Sequence, residues 1–201
     1  MDNVLENIDH AIVLTINSWH NPVLDEIMWV LSLKYPWIPL YVFLVYLAYK
    51  KLAIKQLAFF ICIALLTVIF SDLISNYCFK DVFMRYRPSH NLLLEGKLHF
   101  YENKPGEHYK GGTFGFVSSH AADFFAFSVF IGLSLKPFYP KLIYVLLLIS
   151  ILVSLSRVYL GVHYLSDIFV GGLLGSFIAF LGYKFIYLRF IHKFKKSDLK
   201  N

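Results

Sequence analysis

The chain has 201 residues, of which 58% are apolar and only 16% charged, against roughly 45–50% and about 25% in soluble domains. With 20 Phe, 14 Tyr and 3 Trp and a mean hydropathy of +0.59, it is no disordered chain, collagen-like repeat or disulfide scaffold. The composition implies an all-α integral membrane bundle. Residues 1–201 form a single domain at this length. The net charge of +6 in such a chain reports topology before nucleic-acid binding.

The first nine residues carry Asp2, Glu6 and Asp9 and no basic residue, so no secretory signal peptide is expected. Residues 4–19 place Val4, Ile8, Ala11, Ile12, Ile16 and Trp19 around Glu6 and Asp9. That pattern predicts an amphipathic helix lying on the membrane surface, within an interfacial N-terminal region of residues 1–35. Residues 37–49 are apolar but short, and need residues 27–35 or a tilt to cross. Residues 57–77, 114–135, 142–160 and 164–188 each reach the length of a span. Five spans are expected, with a sixth crossing open. Cys62 and Cys78 fall in one helical run, roughly 24 Å apart along its axis, and form neither a bridge nor a metal site. Gly171, Gly172, Gly175 and Ser176 predict close helix packing in mid-membrane. Trp29, Trp37 and the tyrosines near helix ends read as interfacial belt residues.

Eleven of the 19 Lys and Arg residues gather on one side if the spans alternate. They are Lys50, Lys51, Lys55, Lys136, Lys141, Lys184, Arg189, Lys193, Lys195, Lys196 and Lys200. The other side has six, in residues 80–115, diluted by acids. The positive-inside bias puts the basic tail, residues 189–201, in the cytoplasm and the 80–115 loop outside. That long irregular loop, with Pro88, Pro105, Gly106, Gly111 and Gly112, is expected to face the substrate.

Ionisable residues at span ends are functional candidates by default, and here they cluster at outward-facing ends. Lys80 and Arg87 follow one span, and His120 opens the next behind Ser118 and Ser119. Arg157 closes the third, and His163 and Asp167 open the last. Three cations without a matching acid cluster suit a multiply charged anion, and the planar fork of arginine suits phosphate. Ser118 and Ser119 sit near a helix start, where backbone N–H groups point at an anion. His163 and Asp167 are four apart, hence on one helix face, so the carboxylate can hold one ring nitrogen and aim the other as a nucleophile. His120 can protonate the leaving oxygen. The chemistry is phosphoryl transfer by positioning and charge neutralisation. Asp123 is read as favouring the helix N-terminus rather than steering His120. Asp72 and Asn76 are read as a buried helix–helix hydrogen bond, and Arg85 as surface charge. His90, His99 and His108 lack ligand spacing. No metal, cofactor or nucleic acid is expected, and the sequence points to no particular protein partner.

The chain also carries three ordered motifs: Lys80, six residues, then Arg87-Pro88; Val117-Ser118-Ser119-His120; and Ser156-Arg157, five residues, His163, three residues, Asp167. In these it resembles the type 2 phosphatidic acid phosphatase superfamily, particularly its small bacterial membrane members. Val117 stands where that family has Pro, and Ser119 where it has Gly. The resemblance implies a helical bundle with a metal-free site at the outer membrane face. It implies His163 as the nucleophile that becomes phosphohistidine, Asp167 as its orienter, and His120 as acid and then base. Lys80, Arg87, Arg157, Ser118 and Ser119 would bind the phosphate. The implied substrate is a lipid phosphate or diphosphate at the bacterial cytoplasmic membrane, with undecaprenyl pyrophosphate favoured. Lipid A, phosphatidylglycerophosphate and phosphatidic acid are the alternatives. A non-enzymatic phospholipid-binding or carrier protein and a vanadate-dependent haloperoxidase are the competing classes.

Overall fold

The computed structural model describes residues 4–191 and Lys193; Asp2 and the expected tail residues Lys195, Lys196 and Lys200 lie outside the described residues. Two short helices, α1 (Val4–Asn17) and α2 (Pro22–Ser32), lead through a 3-10 turn at Tyr35–Trp37 into α3 (Ile38–Tyr49). Helix α4 (Ile54–Leu73) continues through a π-helical stretch, Ile74–Lys80, into a last turn, α5 (Asp81–Phe83). Helices α6 (Ser119–Leu135), α7 (Leu142–Tyr159) and α8 (Leu165–Leu181) follow, the last extended by a π-helical stretch at Gly182–Tyr187. The loop between α5 and α6 holds two 3-10 turns and a small antiparallel hairpin, β1 (Glu102–Lys104) and β2 (Glu107–His108).

The helical membrane bundle expected from composition is what forms. Among the described residues three stretches are long and apolar enough to cross a bilayer: Ile54–Phe83, Leu142–Tyr159 and Leu165–Ile191. The short segment around residues 37–49 gains its other half from α2, but the pair is bent by 70°. Leu33 is extended at the break, and Pro36 lacks the N–H that a continuous helix would need there. The span expected from residue 114 begins later. Phe114 instead bridges to Tyr86, and Ser118 caps α6 by accepting a hydrogen bond from the Ala121 N–H, which leaves α6 with 17 residues.

Helix α6 is the bundle's centre, packed on α4, α7 and α8. Apolar helices gain little hydrophobic energy from meeting inside lipid, so small residues and shared hydroxyls hold them together. On α8, a Cβ added at Gly171 would stand 2.6 Å from the Ser118 carbonyl oxygen, and one at Gly172 3.1 Å from the Phe125 ring. Gly175 faces the Ala122 backbone still more closely. Between α6 and α7, the Ser128 and Ser150 hydroxyls bond at 2.7 Å, and Gly132 admits Ile143. Phe60, Phe130, Leu146 and Tyr187 fill the main core, while Leu65, Ile69, Phe70, Leu148, Phe169 and Phe177 stay exposed on outer faces. In water such a surface would drive association; in a bilayer it meets acyl chains.

Helix α1 docks by a face that its sequence pattern does not advertise. Asp9, Val13 and Asn17 are buried, and Val4, Leu5, Ile8 and Trp19 are exposed. Asn17 donates to the carbonyls of His99 and Tyr159, both at 2.8 Å, and accepts from the His99 N–H at 2.8 Å. These polar anchors, with Val13, Leu14 and Ile16 packed beside Leu94, Val158 and Tyr164, fix α1 to the bundle, and only Val4, Ile8, Ala11 and Trp19 of the apolar stripe are left outward.

Candidate active site

Four helix ends meet at one end of the bundle: the C-terminal ends of α4 and α7 and the N-terminal ends of α6 and α8. They enclose a polar cavity of about 200 Å³. Lys80, Arg87, Ser119, His120, Arg157 and His163 all line it, joined by Lys34, Asp72, Asn76, Tyr109, Gly111, Gly112 and Asp123. Residues from three distant stretches of chain therefore face one space, and both imidazoles belong to it. The clusters around Lys50, Lys51 and Lys55, and around Lys136 and Lys141, close the bundle at its other end.

The nucleophile candidate is set by its neighbours on both sides. His163 is buried in the turn between α7 and α8, tied by its N–H to the Arg157 carbonyl at 3.2 Å. Its Nδ1 lies 3.3 Å from Asp167 Oδ2, and Nε2 lies 3.1 Å from Arg87 Nη1. An arginine only donates, so Nε2 is the acceptor and the proton sits on Nδ1. Burial, then the charges of Arg87, Arg157 and Lys80, push the His163 ring well below the usual imidazole range. It is neutral, with a lone pair on the cavity side.

Each cation is held by fixed partners, and one buried N–H among them is left without an acceptor. Arg87 donates from Nε to the Phe114 carbonyl at 3.0 Å and from Nη1 to the Val162 carbonyl at 3.2 Å. Burial and then the charge of Arg157 lower its pKa to about 10. Gly111, at φ +67°, makes room for that guanidinium, because a Cβ there would stand 2.9 Å from Nη1. Arg157 donates from Nη2 to the Tyr109 hydroxyl at 2.7 Å, yet its buried Nε has no partner. Lys80 donates to Asn76 Oδ1 at 2.7 Å and to the Ser119 hydroxyl. An enclosed donor without an acceptor is costly, and a bound oxyanion would supply the acceptor.

Two of the expected residues stand away from the cavity wall. Ser118 is fully buried, its hydroxyl on the Ala121 N–H and its own N–H donating to the Asp167 carbonyl at 3.1 Å; it joins α6 to α8 rather than facing an anion. Asp167 lies behind His163, where Oδ2 also accepts the Tyr164 N–H at 2.9 Å. Arg85, read from sequence as surface charge, instead donates to Asp167 Oδ1 at 3.0 Å. Asp123, read as a helix-end charge, faces the cavity with a buried Oδ1 that has no partner. Asn76 does bridge helices, but through Lys80 and Ser119 rather than Asp72. Its four-residue spacing from Lys80 held that signal. Tyr109 and Lys34 come from loops and carry none. His99 pairs with Asp25 at 2.9 Å, away from the cavity.

The profile of the PAP2 superfamily matches residues 60–191. The chain belongs to the PAP2 superfamily. It is 32% identical over 192 residues to a lipid A 4′-phosphatase of Porphyromonas gingivalis, covering 94% of this chain and 77% of that one. A lipid A 4′-phosphatase of Bacteroides thetaiotaomicron is 30% identical over 183 residues, covering 91% and 79%. In fold the chain is similar to the crystal structure of a transmembrane PAP2 type phosphatidylglycerolphosphate phosphatase from Bacillus subtilis. That match has a TM-score of 0.67 at 24% identity and covers 91% of this chain and 86% of the other. The protein is thus a membrane PAP2 hydrolase acting on lipid phosphate esters.

Proposed function

We propose that this PAP2 enzyme removes a phosphate from a lipid A-type glycolipid at the outer face of the cytoplasmic membrane, through a phosphohistidine on His163. The observation that carries the reading is the single cavity lined by His163, His120 and the three cations Lys80, Arg87 and Arg157. The phosphate enters where Arg87 now meets Nε2, and Arg87, Arg157 and Lys80 take its oxygens, with the Ser119 hydroxyl beside Lys80. His163 Nε2 attacks phosphorus as the ester P–O bond breaks, and His120 gives its proton to the departing alcohol oxygen. Water, losing its proton to His120, then breaks the P–N bond and releases inorganic phosphate. Asp167 keeps Nδ1 protonated and steadies the imidazolium character that develops.

Two features support an amphiphile and favour lipid A over the undecaprenyl pyrophosphate expected from the motifs. An apolar groove of about 330 Å³ between α3, α4 and α6 adjoins the polar cavity, sharing Lys34, His120 and Asp123 with it; it suits an acyl chain below a phosphorylated head. The two relatives named as lipid A 4′-phosphatases align over more than nine-tenths of the chain. The outer-face placement rests on the Lys and Arg asymmetry, with a cytoplasmic C-terminus. The test is phosphate release in detergent from lipid A, undecaprenyl pyrophosphate, phosphatidylglycerophosphate and phosphatidic acid, for wild type and His163→Ala. Lipid A should give the highest kcat/KM and the variant none. A higher value on undecaprenyl pyrophosphate would overturn the substrate, and turnover by His163→Ala the mechanism.

A further inference from the structure

Asp9 lies on the docked face of α1 and is 4% exposed. A carboxylate so enclosed must be matched by donors, and here it is. Oδ1 accepts the Ser166 N–H at 3.0 Å, and Oδ2 accepts from Arg85 Nη2 at 2.8 Å and from the Ser166 hydroxyl. The same guanidinium turns Nη1 to Asp167 Oδ1 at 3.0 Å and to the Ser166 hydroxyl at 2.7 Å. Its carbon sits 4.2 Å from the centre of the Tyr164 ring, close enough for a cation–π attraction. One arginine therefore joins α1 to the first turn of α8 and stands between two buried carboxylates.

The atom it holds on Asp167 matters. Oδ2 receives the Tyr164 N–H and faces His163 Nδ1. A carboxylate turns readily about its Cβ–Cγ bond, a broad and soft torsion. A donor on Oδ1 fixes that plane and keeps Oδ2 against the imidazole. We infer that Arg85, seated by Asp9, is a positioning residue for His163, so that the N-terminal helix helps to aim the nucleophile. The inference rests on His163 being the nucleophile. A purely structural Arg85 would cost folded protein and nothing else, and a substrate-binding Arg85 would raise KM. A positioning Arg85 acts on kcat.

The experiment measures kcat and KM on the best substrate of the lipid panel, per folded protein, with melting curves alongside. The variants are Arg85→Gln, Arg85→Lys, Asp9→Asn, the Asp9→Asn/Arg85→Gln double and His163→Ala. Arg85→Gln should lower kcat by about ten- to a hundred-fold, the scale of a misplaced reacting group, with KM near wild type. Arg85→Lys should recover part of the rate, because one ammonium lacks the fork that reaches both carboxylates. Asp9→Asn should lower kcat less, and should add little to Arg85→Gln because both act through one arm. A wild-type kcat in Arg85→Gln, or a loss confined to KM, would overturn the inference. If Arg85→Gln does not fold, wild-type kcat in both Arg85→Lys and Asp9→Asn overturns it equally. Turnover by His163→Ala would sink the nucleophile assignment itself; an inactive His163→Ala beside a fully active Arg85→Gln would sink the positioning role alone.

Discussion

The joint between α6 and α8 sets the distance between the two histidines, and Gly171→Ala tests it. A Cβ at that position meets the Ser118 carbonyl oxygen at 2.6 Å, with the Ser118 nitrogen and the Ala121 Cβ at 3.4 Å. Restoring ordinary contact of 3.4 Å requires about 0.8 Å of separation at that point. Neither partner yields easily. The Ser118 carbonyl accepts the Ala122 N–H at 3.0 Å, and the Ser118 N–H donates to the Asp167 carbonyl at 3.1 Å. The separation therefore moves Ser119 and His120 away from His163 and Asp167. Overpacking of this kind costs about 1–3 kcal/mol of stability, and a displacement near 1 Å in a reacting pair costs roughly a hundred-fold in rate. Phosphate release from the preferred lipid should fall by at least about ten-fold, with a lowered melting temperature in detergent. Gly172→Ala is the control, because its added methyl meets the Phe125 side chain, a ring that can swing aside, so its activity should stay near wild type. Full activity in Gly171→Ala would refute the claim that this glycine sets the histidine geometry.

Three further outcomes follow from the same geometry. The His163 pKa is depressed in the folded protein, so the stability this group contributes is present above the unfolded value of about 6.5 and is lost as pH falls below it. In that window the wild type should lose up to about 1.4 kcal/mol per pH unit more than His163→Gln, read from melting temperatures between pH 7.5 and 5; identical slopes would contradict a buried neutral imidazole. Val45→Trp, at an exposed wall of the apolar groove, should raise KM for a long-chain lipid phosphate and leave a short-chain phosphate ester unaffected; equal effects on both would remove the groove from substrate binding. Orthovanadate as a phosphate mimic should raise the melting temperature, about 2.7 kcal/mol of stabilisation at a hundred times its Kd. Arg157→Gln should lose most of that shift, and an undiminished shift would place the anion elsewhere.

The composition and span-end residues made the bundle and most of its site legible, because both follow from what lipid forbids. A helix inside a bilayer satisfies its own backbone, so apolar runs announce it. An ion at a span end has an ordinary reading when it stands alone, and it was the gathering of Lys80, Arg87, Arg157 and His163 at one side that stood out. The small-residue row on α8 was equally readable, since Gly171, Gly172 and Gly175 share a face and only close packing suits them. What escaped were features set by tertiary partners. Residues 114–117 are as apolar as a helix, yet the Tyr86–Phe114 bridge and the Ser118 cap take them out of it. Ser118 sits beside Ser119 in the motif, but α8 claims its N–H. The docked face of α1 contains Asp9 and Asn17, which a hydrophobic-stripe reading assigns to solvent; their donors come from residues 76 and more positions away.

Those distant partners also explain how so crowded a cation site persists. Arg87 and Arg157 repel each other across one polar cavity, and each needs fixed acceptors to stay. Arg87 has the Phe114 and Val162 carbonyls, and Arg157 has Tyr109, all from segments outside the long helices. The loop over the cavity is therefore a scaffold for charge. Because these donors are fixed before the phosphate arrives, little reorganisation is required as charge develops on it. The unpaired Nε of Arg157 and the Arg87–His163 contact are the two interactions a phosphoryl group would change most. It would satisfy the first and replace the second, converting an unfavourable resting arrangement into binding directed at the reacting phosphorus.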